Sequence, residues 1–261
     1  MTDFKKHIQI NKKTWNKRTP IHIKSNFYNN KKFKEKGNSL KPIELNAIGN
    51  IQEKSLLHLQ CHFGQDSISL AKMGAKVTAV DFSDVAIKKA KEMSKEMNTN
   101  IDFIESDVLK LDIDKKFDIV FSSYGAIGWL PDLNKWGNII SKHLKKGGKF
   151  LLTEFHPFLE MTKDNGYDYF YKSHPDIDIE KGTYTDGGNE LVTKTCWWNH
   201  SLSDIFKVLL SNGLEIVLFE EFDYSPFLLE GMIKQKEGKY VLKKRRNKST
   251  PYVFNIKAIK V

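Results

Sequence analysis

The chain has 261 residues, 40% of them apolar and 12% aromatic, which suits one α/β domain with an elaboration around a packed core. It has no run of 18 apolar residues to span a membrane, and Met1-Thr-Asp-Phe-Lys-Lys has no apolar stretch of the signal-peptide kind. The formal charge of +10 sits at the ends, +9 in residues 1–50 and +8 in residues 230–261, leaving residues 51–229 at −7.

Residues 1–50 read as an N-terminal helical arm or cap, and residues 51–261 as the main domain. The regular alternation starts at residues 55–60, an apolar run that reads as a strand. A tight turn follows, then a helix over 66–73 and a second strand over 77–81. Residues 84–97 form an amphipathic helix capped by Ser83 or Asp84, and 101–105 and 117–122 are further short apolar runs. Residues 133–144 are helical, with Lys145-Lys-Gly-Gly148 as the expected C-cap, and 149–155 is the fifth strand. A helix over 201–211 stops at Asn212-Gly213, and strands over 214–222 and 251–259 close the sheet. Strands alternating with helices imply a doubly wound, mostly parallel sheet. Residues 156–200 break this rhythm with eight aromatic residues and turn signals at Gly182 and Gly187-Gly188. Following a strand's carboxyl end, they read as an inserted lid or substrate cap with room for a hairpin.

The first strand–turn–helix–strand unit carries the chemistry. Asp81 ends the second strand 17 residues after Gly64, close to the roughly 20 at which such a unit places an acid against a ribose. A dinucleotide fingerprint needs three glycines so that the backbone can approach a pyrophosphate, and this turn has only Gly64. Gln60, Cys61, His62 and Phe63 are too bulky to cradle a diphosphate, but the turn could pass under a nucleoside without phosphate. That points to S-adenosyl-L-methionine rather than NAD or ATP. His58, Cys61 and His62 lack a nearby fourth ligand and zinc spacing, so no metal is expected. Two cysteines, Cys61 and Cys196, build no disulfide framework and fit a reducing cytoplasm. With only three arginines among the basic residues, the charged ends read as solvated lysine surface, and nucleic acid is an unlikely partner.

The chain resembles class I S-adenosylmethionine-dependent methyltransferases, especially small bacterial ones marked by the motif His58-Leu-Gln-Cys-His-Phe-Gly64. Trp15, Phe27-Tyr28, Val80-Asp81-Phe82-Ser83, Phe117-Asp-Ile-Val-Phe-Ser-Ser-Tyr-Gly125 and Gly128-Trp-Leu-Pro-Asp132 carry the resemblance. Glu154-Phe-His-Pro157, Gly182-Thr-Tyr184, Trp198-Asn-His200 and Glu221-Phe-Asp-Tyr-Ser-Pro226 complete it. It implies a Rossmann-like sheet of seven strands with S-adenosyl-L-methionine as cofactor. The turn Gln60, Cys61, His62 and Gly64 would pass beneath the methionine part, where the common motif has an acid and a glycine in place of His58 and Gln60. Trp15 and Tyr28 would add contacts there. Asp81 would accept both ribose hydroxyls, Phe82 would pack beside the adenine, Asp107 would accept its amino group, and the Val108 amide would donate to its ring. Ser123 would offer backbone to the cofactor's amino group.

The expected activity is methyl transfer to a small-molecule O, N or S nucleophile, with His156, Tyr124 and His200 as candidate acid–base residues. In-line attack on a sulfonium methyl needs alignment more than functional groups, and at most one base. The alternatives are an RNA or protein methyltransferase, or a non-catalytic protein that binds the cofactor. Against the first, the fourth strand ends in Ser122-Ser-Tyr-Gly125 rather than the Asn/Asp-Pro-Pro-Tyr of enzymes that methylate nucleobase amines.

Overall fold

A computed structural model describes residues 4–162 and 166–261; Met1, Thr2 and Asp3, and residues 163–165 of the expected insertion, lie outside the described residues. The elements in order are helices α1 (Lys5–Lys24), α2 (Asn30–Lys36) and α3 (Pro42–Ile48), then β1 (Ser55–Leu59), α4 (Gln65–Lys72), β2 (Lys76–Asp81), α5 (Asp84–Glu96) and β3 (Asp102–Glu105). They continue with β4 (Phe117–Ser123), α6 (Leu133–His143), β5 (Leu144–Phe155), α7 (Phe158–Met161) and the pair β6 (Asp176–Lys181) and β7 (Val192–Trp197). The chain closes with α8 (Leu202–Ser211), β8 (Leu214–Phe222), β9 (Met232–Lys236), β10 (Lys239–Leu242) and β11 (Val253–Lys260). Among the described residues no helix is long and apolar enough to cross a membrane.

Seven strands form one sheet in the order β3-β2-β1-β4-β5-β11-β8. The first five pair in parallel, and β11 lies antiparallel between β5 and β8. Strands buried on both faces read as continuous apolar runs, as in Leu56, Leu57 and Leu59 of β1. One face packs Leu57, Val120, Phe150 and Leu152 against Trp136 and Ile140 of α6 and Ile205 and Leu209 of α8. The other packs Leu56, Phe121 and Leu151 against Ile87 and Ala90 of α5, Leu70 of α4 and Ala47 of α3. The Ser83 hydroxyl caps α5 by accepting from the Ala86 N–H, and Ser201 with Asp204 forms a capping box on α8.

Two segments depart from the sequence pattern. The helix expected over 133–144 ends at His143, and Lys145-Lys-Gly-Gly148 is not its cap: Leu144 is already extended, and β5 runs through the glycines. Leu144 is fully buried and pairs beside Phe117, while Gly147 takes φ +74° where the register with β4 shifts, so tertiary pairing converts a cap signal into an irregular strand start. The antiparallel β9–β10 hairpin, turning at Gly238, was not foreseen because its lysine-rich strands carry a weak alternation.

Candidate functional site

The carboxyl ends of β1, β2 and β4 converge under α1. The turn after β1 holds Gln60 at φ +56° and His62 at φ +51°, left-handed positions that disfavour any residue with a Cβ. Gly64, at φ +84°, then opens α4, and a Cβ there would meet Ala90 Cβ at 3.0 Å and the Phe103 ring at 3.1 Å. The single glycine of the motif therefore serves close packing against α5 and β3. Asp81 ends β2 and accepts from the His62 and Ser83 N–H groups, each at 2.8 Å. Burial is the main reason its carboxyl is pushed up to about 6, with those backbone bonds opposing.

Beside Asp81, Phe82 and Asp107 line a half-open cavity of about 130 Å³ that is lined on its other side by Lys5, Ile8 and Lys12 of α1. The Asp107 Oδ1 caps its own turn by accepting from the Leu109 N–H, while Oδ2 makes no hydrogen bond and lies 3.8 Å from the Lys110 ammonium. Val108 turns its side chain into the core beneath. A larger groove of about 600 Å³ lies at the opposite, amino end of β2 and β3, remote from every residue of this site.

An aromatic wall stands over the turn. Trp15 meets the rings of His62, His22 and Trp129 edge-on, and Tyr28 packs on Phe63, His62 and His22. Tyr28 and Tyr184 share a hydrogen bond between hydroxyls. Burial holds His22 down at about 3 and His62 well below the usual imidazole range, so both rings are neutral. The insertion joins this wall through α1. Asn11 pairs with the free edge of β7, donating to Cys196 O at 2.8 Å and accepting from its N–H at 2.9 Å. Thr14 donates to Lys194 O, and buried Arg18 pairs with Glu180. Trp197 lies so close to Gly128 that a Cβ on that glycine would fall 2.0 Å from its ring.

At the end of β4 the Ser123 hydroxyl donates to Asp66 Oδ2, and the Tyr124 hydroxyl donates to Glu44 Oε2 at 2.6 Å. Buried Glu154 accepts from the N–H groups of Gly125, Ala126 and Ile127, which shapes the loop that follows. Gln60 reaches across to donate to Ala126 O, tying this loop to the turn after β1.

Several expected residues are held by contacts within the chain. Cys61 places its sulfur in the core with Leu56 and Ala79, leaving only backbone to the turn. His58 lies below the turn, bonded to Ser67 and packed on Phe121, and burial lowers it to about 4. An acid, Asp66 in the first turn of α4, lies close enough to His58 to act on it electrostatically. His156 has both ring nitrogens engaged. Its Nε2 pairs with Glu221 at 3.0 Å and its Nδ1 accepts from the Phe158 N–H, so it fastens the insertion to β8. His200 donates from Nε2 to Leu130 O at 2.8 Å and stacks on Tyr171. Asp66, Glu44 and Glu154 escaped sequence reasoning. Asp66 stands two residues beyond the motif, and only tertiary contacts bring Glu44 and Glu154 to this end of the sheet.

The buried atoms without hydrogen bonds include Gln60 Oε1, His62 Nε2 and Asp107 Oδ2, all on this one edge of the sheet. Unsatisfied buried polar atoms are costly, and three here fit a polar ligand that would satisfy them. Residues 56–148 match the family model described as a methyltransferase domain. Cypemycin N-terminal methyltransferase of a Streptomyces species is 26% identical over 163 residues, 61% of this chain and 61% of that protein. Phosphoethanolamine N-methyltransferase 1 of Triticum aestivum is 34% identical over 120 residues, 44% of this chain and 24% of that protein. The chain thus spans less than two thirds of the length of these curated relatives. A solved S-adenosylmethionine-dependent methyltransferase from Clostridium acetobutylicum superposes with a TM-score of 0.61 at 17% identity, covering 95% of this chain and 99% of that one. At that identity the likeness is one of fold: the seven-stranded sheet is the Rossmann-like sheet of such methyltransferases.

Proposed function

We propose that the chain is an S-adenosylmethionine-dependent methyltransferase that acts on a small-molecule O, N or S nucleophile. The observation that carries this reading is the edge formed by Asp81, Asp107, Gln60 and His62. A strand-ending acid stands beside unsatisfied polar atoms there, and the turn is too bulky for a diphosphate. Asp81 would hold the ribose, and Phe82 and Asp107 the base, in the cavity under α1. Asp66 and Ser123 would meet the charged amino acid end of the cofactor, beside Gln60. When bound, the cofactor supplies an electrophilic methyl on a sulfonium, and the chain supplies alignment and exclusion of water. Helix α1 and the insertion serve as a cap, a reading supported by the Asn11, Thr14 and Arg18 contacts that join them above the strand ends.

Calorimetry with S-adenosylmethionine and S-adenosylhomocysteine tests the proposal, with micromolar binding expected. Asp81→Ala should weaken it tenfold or more, since hydrogen bonds to a charged group contribute about 1.5–3 kcal/mol each. Labelled cofactor incubated with a metabolite extract, followed by mass analysis of the product, then names the acceptor. No binding of either compound would refute the reading, and binding without transfer would favour a non-catalytic binding protein.

A further inference from the structure

Glu44 is the least expected acid in the molecule. It sits on the short helix α3 with 2% of its surface exposed, and no cation pairs with it among the described residues. Its Oε1 accepts from the Lys41 N–H, the ordinary task of a capping-box acid. That task can be done at an exposed helix end. It explains neither the burial nor the second bond, from the Tyr124 hydroxyl to Oε2 at 2.6 Å. The ammonium of Lys41 lies instead over the Phe227 ring, 5.0 Å from its centre.

Tyr124 is also held unusually. It follows the last residue of β4, takes φ +35°, and packs edge-on against Phe227 beside Phe155. A left-handed backbone on a bulky residue is costly and persists where the surroundings impose it, most often at functional sites. Ser123, its neighbour, bonds Asp66, and the loop two residues on is tied to the turn after β1 by Gln60. Tyr124 thus stands between the proposed methyl-donor site and a buried carboxyl.

We propose that Tyr124 and Glu44 form the proton-accepting device of the acceptor site, Tyr124 meeting the acceptor and Glu44 acting through it. This rests on the methyltransferase reading. A neutral acceptor X–H would give its proton to the Tyr124 oxygen while the tyrosine's own proton passes to Glu44 Oε2. The X lone pair forms the bond to the methyl carbon, and the carbon–sulfur bond breaks with its electrons remaining on sulfur. The products are methylated X, a neutral thioether and a protonated Glu44. The groups facing Glu44 are Asp66 from α4, Tyr124 after β4, Tyr224 after β8 and the Lys41 backbone. Burial, then repulsion from Asp66, pushes its carboxyl up to about 7, so it can both take and release a proton near neutrality.

The test compares wild type, Glu44→Gln, Glu44→Asp and Tyr124→Phe. Infrared spectroscopy of the ligand-free protein should show a carboxyl titrating near 7 that is lost in Glu44→Gln. The same midpoint should rise in Tyr124→Phe, which removes a bond favouring the anion. With labelled S-adenosylmethionine and a panel of phenols, amines and thiols, Glu44→Gln should lower kcat by about 10²–10⁴ and abolish the acid limb of the pH profile. Affinity for S-adenosylmethionine should be unchanged, and Glu44→Asp should restore part of the rate. A carboxyl titrating at the ordinary 4.5, or an acid limb that survives in Glu44→Gln, would overturn the proposal while leaving cofactor binding intact. Failure of wild type to bind S-adenosylmethionine would overturn both readings together. If Glu44→Gln melts too early to assay, Tyr124→Phe with its infrared shift and rate loss decides alone.

Discussion

Asp81→Asn separates what the acid does for folding from what it does for the ligand. Asp81 is 7% exposed, and each of its oxygens accepts one backbone N–H, from His62 and Ser83. Asparagine keeps the shape but turns one acceptor into a donor, leaving a buried N–H unpaired at about 1–3 kcal/mol. The wild-type carboxyl carries an opposing cost. Burial lifts it from 3.8 to about 6, which at 1.36 kcal/mol per unit destabilises the folded state by about 3 kcal/mol once the group is ionised. Because the folded value is raised, wild type has its full stability below 3.8 and loses this share as pH climbs through 6. The mutant has no such loss. Thermal melts should therefore show Asp81→Asn less stable than wild type near pH 4 by about 1–3 kcal/mol, or about 2–12 °C at 2–4 °C per kcal/mol. Near pH 8 the gap should close or reverse, while affinity for S-adenosylmethionine falls at least about tenfold. A stability gap that does not change with pH, or that widens toward alkaline pH, would refute the account of Asp81 as a carboxylate buried at an energetic cost.

Gly128→Ala should destabilise by about 3 kcal/mol or more in thermal melts, beyond ordinary overpacking, because its Cβ would fall 2.0 Å from the Trp197 ring. Asn11→Ala removes both hydrogen bonds to the edge of β7. Faster amide exchange at Cys196 and earlier proteolysis within residues 166–197 are expected, with the β1–β5 amides unchanged. The basic ends should not form a nucleic-acid site, since lysines such as Lys12 and Lys34 are engaged by Glu105 and Glu96. Binding to tRNA near about 150 mM salt should be weak and fall steeply as salt rises. Saturable, tight binding there would favour an RNA substrate.

The order of elements and the position of the site were legible in the sequence by itself. Strands buried on both faces have to be continuous apolar runs, so residues 55–60, 77–81 and 117–122 announced themselves. Chain connectivity alone puts Gly64 and Asp81 at the same end of a parallel pair. Local chemistry also marked the cap at Ser83, where a side chain bonds its own backbone. What the sequence could not settle was the partner of each polar side chain. His156 and His200 looked free because histidines at strand ends and in insertions give no local sign of their acceptors. Glu221 lies 65 residues from the first, and Leu130 lies 70 from the second. Glu44 gave no local sign of its burial, which depends on the end of β4 and on α4. Periodicity reports which face of an element is apolar. Which buried acid meets which hydroxyl is decided by contacts between residues far apart in the chain, and only the assembled sheet with its cap makes them.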